Sequence, residues 1–258
     1  IELGGKFPRN DDIIKYLLDK YELKLPGGWY GSLLNLRSVD IEWEKMQDQI
    51  NLLKKINADV FVFADVSDSV QGKFNTPLSQ RPKLEDNKWK EYGNKVSEIS
   101  SRLDDIGLPI TFHEHMGTII QSEQDVIRLI ENTNDKTNIL LDTGHILFGE
   151  GDYIKICNNY IEKINHVHFK DIRKDILDVC IDQDKSFRES FLEGVFTVPG
   201  DGYINYKPIV EILYKNNYSD WLIVEAEQDP KKAEPLKYAK IGYNYLSKIV
   251  NDCGYSVS

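Results

Sequence analysis

The segment TFHEHMGT, residues 111–118, ends a short apolar stretch with three ionisable side chains. Because successive side chains of a strand point to opposite faces, we expect His113 and His115 on one face and Glu114 on the other. Two histidines on one face at the carboxyl end of a strand indicate a metal site or an acid–base site. A metal site at this strand end needs further ligands, so the fold must bring side chains from other parts of the chain to it.

Other ionisable side chains stand in the same position on other predicted strands. All five histidines lie within residues 113–168, in the segments ITFHEH, ILLDTGH and INHVHFKD, each at or just after a predicted strand end. Near the carboxyl terminus the strand WLIVEAEQ ends in Glu225 and Glu227, two residues apart and so on one face. These groups can meet only in a fold that gathers strand ends at one place.

Composition limits the classes of protein that fit the chain. Its 258 residues, 41% apolar and 29% charged, predict a single globular domain over residues 1–258. No apolar run of about 18 residues is present, which argues against a membrane partner. The net charge of −10 argues against nucleic acid and anionic lipid. The three cysteines form no CxxC pair, which favours a reducing cytoplasm.

Strand and helix patterns alternate along the whole sequence. The predicted strands cover residues 1–4, 22–25, 59–64, 110–115, 138–142, 165–170 and 221–225. The predicted helices cover residues 11–20, 40–57, 88–106, 123–133, 153–160, 206–216 and 235–250, and residues 171–203 are predicted to be irregular. Ser122 and Asp125 predict a capping box before the helix at 123.

This alternation predicts an α/β protein with parallel strands and right-handed crossovers. With seven strands visible, the pattern is that of a TIM-type (β/α)8 barrel whose first βα unit precedes Ile1. The alternative is a doubly wound open sheet, which lacks the GxGxxG turn after a strand.

In such a barrel the functional groups lie at the carboxyl ends of the strands. One ligand from each of four strands predicts a metal centre at His113, Asp142, His168 and Glu225. Nitrogen and carboxylate oxygen without thiolate suit Mn²⁺, Co²⁺, Zn²⁺ or Mg²⁺, which with an open position polarises a carbonyl or hydroxyl group of a bound polyol. The alternatives are a simple turn at Asp142, a packed core role for His166 and a solvated Glu227.

Five motifs in order resemble the myo-inosose-2 dehydratase family, which belongs to the xylose-isomerase-like TIM-barrel superfamily. The motifs are HEHMGT, LLDTGH, HVHFKDIR, SFLEGVFTVPGDG and VEAEQDP. The opening ELGGKFPR resembles the second-strand region of that family. DTGH and HxHFKD are shared across the superfamily, whereas FTVPGDG together with VEAEQDP is specific to the dehydratases.

The resemblance implies dehydration of 2-keto-myo-inositol to a trihydroxycyclohexane-1,2-dione, with Mn²⁺ or Co²⁺ and with glutathione as a requirement. It places the four ligand strands of the superfamily on the four residues named above. In much of the superfamily the first ligand is a glutamate, whereas this sequence has His113 followed by Glu114. The first ligand is therefore either His113 or Glu114. Where this sequence has Glu114, the dehydratases tend to have a histidine.

This chemistry needs a base for the α-proton and a donor for the departing hydroxyl. His115 is the predicted general base, because imidazole titrates near ~6.5. His145 or Glu227 is predicted to assist the departing hydroxyl. The predicted substrate contacts are an apolar wall at Trp29 and cationic donors at Lys170 and Arg173.

Three other functions use a similar sequence pattern. A sugar or keto-polyol isomerase or epimerase would use the same metal barrel and differ in the fate of the enediolate. A metal-dependent nuclease would need a basic face, which the net charge of −10 does not provide. A polyol-binding module would bind without turnover. A homo-oligomer is compatible with each of them.

Overall fold

The computed structural model describes residues 1–256, which form two compact units. The first unit comprises Ile1–Ser67, Leu84–His113 and Arg128–Leu140. The second comprises Asp68–Lys83, Glu114–Ile127 and the chain from Leu141 onward. The single-domain interpretation stays a prediction, and each unit is described by itself.

Eight strands and ten helices are assigned within the described residues. The strands are β1 Trp29–Ser32, β2 Phe61–Asp65, β3 Ile110–Phe112, β4 Asn138–Asp142, β5 Ile164–Phe169, β6 Asp171–Ile172, β7 Phe196–Thr197 and β8 Leu222–Val224. The helices are α1 Asp11–Lys20, α2 Val39–Lys55, α3 Trp89–Asp105, α4 Glu123–Asn132, α5 Thr143–Phe148, α6 Tyr153–Tyr160, α7 Lys174–Asp182, α8 Phe187–Glu193, α9 Lys207–Lys215 and α10 Pro235–Asp252.

In the first unit β1, β2, β3 and the start of β4 pair in parallel, in chain order. The strand β2 is buried along its whole length, as expected for a parallel strand covered on both faces. Val60, Val62 and Leu140 form a buried cluster against which the half-buried Trp29 packs. This arrangement brings the carboxyl ends of the paired strands to one edge.

In the second unit β5 pairs in parallel with β8, and β6 pairs with β7 as an antiparallel ribbon. An apolar cluster lies around this ribbon and includes Met116, Phe148, Phe187 and Phe196. Parallel strands separated by helices are found in both units, which confirms the predicted α/β class.

The amino-terminal strands differ from the prediction. Residues 22–25 are irregular, and the strand lies further along, at Trp29–Ser32. The expected strand at residues 1–4 is a single parallel bridge between Leu3 and Gly28. Glycine at position 28 lets the backbone there approach Leu3 closely, since a Cβ on Gly28 would lie 2.8 Å from Cβ of Leu3. The seven expected parallel strands are therefore six strands and a bridge among the described residues.

Residues 171–203, which the sequence predicts to be irregular, contain two helices and the antiparallel ribbon. The prediction was wrong there because both helices are short, and short amphipathic segments give weak periodic signals. Ser186 and Glu189 form a complete capping box that starts α8. Gly194 ends this helix with a φ of 89°, a conformation that favours glycine.

The helix signals at other places are confirmed. Ser122 Oγ accepts the backbone N–H of Asp125, and the Asp125 carboxylate accepts that of Ser122, as a capping box requires. The last helix begins at Pro235, as predicted. No helix within residues 1–256 has the length and apolar character needed to cross a bilayer.

Candidate metal centre and acid–base cluster

Three predicted ligands converge in the second unit. Asp142 is the last residue of β4, His168 lies in β5, and Glu225 directly follows β8. Parallel pairing of β5 with β8 sets His168 opposite Ile223, and the Glu225 backbone N–H continues the ladder by donating to the Phe169 carbonyl. Strand ends thus place the three side chains together.

His168 lies close enough to each of the two carboxylates to share a divalent cation with it. His168 Nδ1 lies 2.9 Å from Glu225 Oε2 and 3.7 Å from Asp142 Oδ2. Asp142 Oδ1 accepts the His145 backbone N–H at 2.8 Å and caps α5, which fixes the carboxylate. Ligands bound at about 2.0–2.2 Å lie roughly 3 Å apart, so the nitrogen and oxygen donors fit the ion that the sequence predicts.

Lys170 is buried at the centre of the same group of side chains. Its Nζ lies 3.2 Å from Asp142 Oδ2, 3.1 Å from Glu225 Oε2 and 3.0 Å from Glu227 Oε2. Burial alone would favour the neutral amine, but these carboxylates hold the pKa of Lys170 well above its usual value. The buried carboxylates therefore face a permanent cation.

Beside Lys170 lies a cluster formed by His115, His145 and Glu227, whose donor atoms lie within 4.8 Å of one another. The two imidazole rings are 4.3 Å apart between centroids. His115 Nδ1 lies 3.1 Å from the Met116 carbonyl, which can only accept, so the neutral ring keeps its lone pair on Nε2. His145 Nε2 accepts from Lys170 Nζ at 2.8 Å.

The charge of this cluster differs from the sequence-based expectation for His115. Burial, and next the neighbouring His145, lower the pKa of His115 to about 3, not the value near ~6.5 of free imidazole. His115 is therefore neutral at neutral pH and able to accept a proton. Burial opposes ionisation of Glu227, but Lys170 outweighs it and keeps the pKa of Glu227 below its ordinary value.

Aromatic rings from the misassigned segment line this cluster. Phe187 lies 5.1 Å from the His115 ring in an edge contact, and Phe196 lies 5.2 Å from the His145 ring. Lys170 Nζ stands 5.0 Å from the centre of the Phe196 ring, within cation–π range. The sequence analysis missed both rings, although Phe196 lies within the dehydratase-specific motif FTVPGDG.

The turn after β4 is fitted to Lys170. Thr143 Oγ1 donates to the Lys170 carbonyl at 2.8 Å and accepts the Lys170 backbone N–H at 3.2 Å. A Cβ on Gly144 would lie 2.8 Å from Cγ of Lys170. The DTG sequence therefore both carries the predicted ligand Asp142 and packs closely against the buried lysine.

His113 and Trp29 lie in the first unit. His113 is buried directly after β3, and the Trp29 ring makes an edge contact with it at 5.4 Å between centroids. The predicted role of Trp29 as an apolar wall for the substrate stays a prediction. The assignment of His113 as fourth ligand stays a prediction.

Glu114 lies in the second unit and is buried. Burial, and next the charge of Asp142, raise the pKa of Glu114 well above its usual value, so its carboxyl group lies within electrostatic range of Asp142. Strict alternation predicts the opposite face. The alternation does not extend to Glu114 because β3 ends at Phe112. Glu114 therefore remains an alternative first ligand.

Arg173 is engaged with the segment that follows α8. Its Nη1 donates to the carbonyls of Gly194 and Phe196, and its Nη2 donates to Thr197 Oγ1 and to the Asp201 carboxylate. The predicted contact of Arg173 with substrate stays a prediction. His166, the alternative ligand in β5, is buried with its ring 5.4 Å from that of His168.

The parallel strands and the polar groups at their ends are those of a xylose isomerase-like TIM barrel, and the model of that family matches residues 6–249. The chain belongs to this family. Among curated proteins it is similar to the inosose dehydratase of Bacillus velezensis, with 36% identity over 252 residues, 97% of this chain and 84% of the relative. It is also 40% identical to the rhizopine catabolism protein MocC of Rhizobium meliloti over 257 residues, 100% of this chain and 79% of that protein.

A solved structure supports the fold. The zinc-binding IOLI protein matches with a TM-score of 0.69 and 15% sequence identity, covering 98% of this chain and 84% of that chain. At this identity the likeness concerns the fold alone.

Proposed function

We propose that the chain is a metal-dependent hydro-lyase that dehydrates 2-keto-myo-inositol to a trihydroxycyclohexane-1,2-dione. The observation that carries the proposal is the contact between Asp142, His168 and Glu225 on one side and the Lys170, His115 and His145 group on the other. The names of the inosose dehydratases to which the chain is 33–37% identical supply the substrate.

The reaction breaks the C–H bond next to the ketone and the C–O bond of the hydroxyl on the following carbon. One water leaves, and the enol that remains rearranges to the dione. Asp142, His168 and Glu225, with His113 or Glu114 as further ligand, would hold a divalent cation, and that cation would supply Lewis-acid polarisation of the ketone. We propose Mn²⁺ or Co²⁺ for this position.

His115 takes the α-proton in this proposal. Its ring is neutral because burial and His145 lower its pKa, and hydrogen bonding of Nδ1 to the Met116 carbonyl leaves Nε2 as acceptor. A base with so low a pKa is weak, so abstraction depends on a substrate proton acidified by the polarised ketone. Lys170 provides a fixed positive charge next to the carbonyl oxygen, where negative charge develops.

The departing hydroxyl needs a proton. Glu227 is ionised beside Lys170 and accepts hydrogen bonds in that form. We therefore propose that His145 assists the departing hydroxyl: its ring carries a proton on Nδ1, because Nε2 accepts from Lys170 Nζ. Glu227 then orients Lys170 and holds a substrate hydroxyl.

Apolar side chains complete the proposed site. Phe187 and Phe196 keep water away from the histidine pair. Excluding water strengthens the electrostatic effect of Lys170 on the developing charge. Arg173 acts indirectly, by holding the segment that carries Phe196.

The test is product analysis by NMR after incubation of the purified chain with 2-keto-myo-inositol and Mn²⁺. We expect the dione, one water lost per substrate and metal-dependent turnover that a chelator abolishes. A product of unchanged mass would identify an isomerase or epimerase, and binding without turnover would identify a polyol-binding module. Parallel reactions with and without glutathione test that requirement.

Cys157, Cys180 and Cys253 are free thiols, in agreement with the cytoplasmic location that we propose.

A further inference from the structure

The segment that carries Glu225 and Glu227 has little regular structure of its own. The strand β8 ends at Val224, and residues 225–229 form neither helix nor strand. Within it the Glu225 N–H bonds to the Phe169 carbonyl, and the Gln228 N–H bonds to the nearby Ala226 carbonyl. Glu227 is therefore beyond the last ladder hydrogen bond to β5 and needs another restraint.

That restraint comes from the side chain of Gln228. Its Nε2 donates to Thr197 Oγ1 at 3.2 Å, across 31 positions of sequence. Thr197 is buried in β7, and its hydroxyl also accepts from Arg173 Nη2 at 3.0 Å and donates to Asp201 Oδ2 at 2.6 Å. One donor and two acceptor positions are all that a hydroxyl offers, so the Thr197 hydroxyl is fully used.

The other members of this network are themselves fixed. Arg173 Nη2 and Asp201 Oδ2 form an ion pair at 2.7 Å. Asp171 holds the turn around Asp201, since its carboxylate accepts the N–H groups of Gly200 at 3.3 Å and Ile204 at 2.9 Å. A Cβ on Gly202 would lie 2.3 Å from Asp171 Oδ1, so this turn requires glycine at that place. The turn is thus rigid where Thr197 meets it.

We propose that Thr197 and Gln228 are positioning residues that hold Glu227 against Lys170. The hydroxyl of Thr197 transfers the fixed geometry of the Arg173–Asp201 ion pair to Gln228, the residue after Glu227. The proposal joins two segments that are distant in sequence, because Thr197 lies in β7 and Gln228 follows β8. It rests on the proposed function for its kinetic readout, whereas its structural readout is independent of any reaction.

The test compares Thr197→Val, which keeps the shape and removes the hydroxyl, with Thr197→Ser, which keeps the hydroxyl. Thr133→Val is the matched control, since it removes a threonine hydroxyl that donates to the Leu129 carbonyl in the first unit. We expect Thr197→Val and Gln228→Met each to lower kcat by about tenfold or more, a typical result of a misplaced catalytic group. KM and Mn²⁺ affinity should change by less than about threefold, because Glu225 keeps its own bond to the β5 backbone.

Two comparisons separate positioning from a general structural role. Thr197→Ser should restore kcat to within about threefold of the wild type. The double variant Thr197→Val with Gln228→Met should be no slower than Thr197→Val alone, since that variant already breaks the bond to Gln228. Unchanged kcat in Thr197→Val, equal loss in Thr197→Ser, or multiplicative losses in the double variant would overturn the proposal.

Hydrogen–deuterium exchange tests the positioning role of Thr197 even if 2-keto-myo-inositol is not the substrate. Amides 225–228 should exchange faster in Thr197→Val than in the wild type, Thr197→Ser or Thr133→Val. Equal exchange in all four proteins would refute the positioning role, whereas an inactive wild type with the expected exchange pattern would refute only the proposed function.

Discussion

The ammonium nitrogen of Lys170 lies 3.2 Å from Oδ2 of Asp142, and both side chains are buried. Two opposite charges removed from water stabilise each other only when their geometry is close, as it is here. The same Asp142 oxygen lies 3.7 Å from His168 Nδ1. Asp142 therefore interacts both with the proposed metal centre and with the ammonium group of Lys170. A change of charge at either place changes the electrostatic energy at the other.

The first prediction concerns the metal ligands. Asp142→Asn keeps the oxygen that caps α5 but removes the anionic ligand, and Glu225→Gln does the same at the neighbouring position. We expect either change to weaken Mn²⁺ binding by more than about 100-fold. Loss of a residue that only hydrogen-bonds to a metal ligand usually weakens metal affinity by about 10–100-fold. Isothermal titration calorimetry measures this affinity. Glu123→Gln, at an exposed carboxylate paired with Lys155, is the control and should leave it unchanged. Unchanged affinity in both ligand variants would show that the ion binds elsewhere.

The second prediction concerns the buried cation. Lys170→Met keeps the length of the side chain but leaves Asp142, Glu225 and Glu227 without their counter-charge. We expect the metal-free variant to lose about 3–5 kcal/mol of unfolding free energy at pH 7, as when one partner of a buried ion pair is removed. Urea denaturation followed by circular dichroism measures the loss.

In the same variant added Mn²⁺ should raise the thermal midpoint more than in the wild type, because the ion then provides the only strong positive charge. Lys155→Met, which breaks an exposed pair, is the control and should have a small effect. A Lys170→Met protein as stable as the wild type would contradict the assigned charges.

The third prediction concerns His115. A His115→Gln variant keeps similar size and hydrogen bonding but has no group able to take the α-proton. We expect kcat to fall by roughly 10²–10⁴-fold with Mn²⁺ affinity retained, and solvent-deuterium exchange into substrate to fall in parallel. Loss of the metal would make His115 a ligand. Normal turnover would place the base elsewhere, and Glu227 would be tested next.

The fourth prediction concerns the pH dependence of stability. Burial raises the pKa of Asp171 to about 6 from an ordinary value of 3.8. Between these two values the folded state binds more protons than the unfolded state, so the contribution of Asp171 is greatest at low pH and is lost as pH rises through about 6. Asp171→Asn removes this dependence.

Measured by urea denaturation, the stability advantage of wild type over Asp171→Asn should therefore shrink by about 1 kcal/mol between pH 5 and pH 7.5. Asp184→Asn, whose carboxylate makes exposed contacts with Ser79, is the control and should show no such trend. An advantage that grows with pH would mean that Asp171 is ionised more easily in the folded protein.

The strand ends that carry Asp142, His168 and Glu225 were predictable, because these residues lie in or directly after apolar segments that sequence patterns detect. The central position of Lys170 was not predictable, because strand alternation gives a direction for Cβ and not for an ammonium group four bonds further out. Its cation was predicted to contact substrate, yet it lies among three carboxylates. Long side chains are placed by their partners, which are distant in sequence.

The failures at Glu114 and at residues 171–203 have a related cause. Alternation holds only while a residue remains in a ladder, and β3 ends two residues before Glu114. The helices α7 and α8 have nine and seven residues, too few for a clear helical period. Phe187 lies in α8 and Thr197 in β7. Their contacts with the site residues could be found only from the tertiary structure.

Gly144 leaves no room for a side chain over the stem of Lys170. A methyl group at position 144 and a lysine at position 170 exclude each other, so substitutions at the two places are ordered in evolution: the lysine must be shortened before the glycine can be replaced. In a related chain, a larger residue after the Asp-Thr pair would mark a centre that has given up its buried cation. The residue at position 144 therefore indicates whether the buried positive charge at position 170 is present, although glycine itself has no charge.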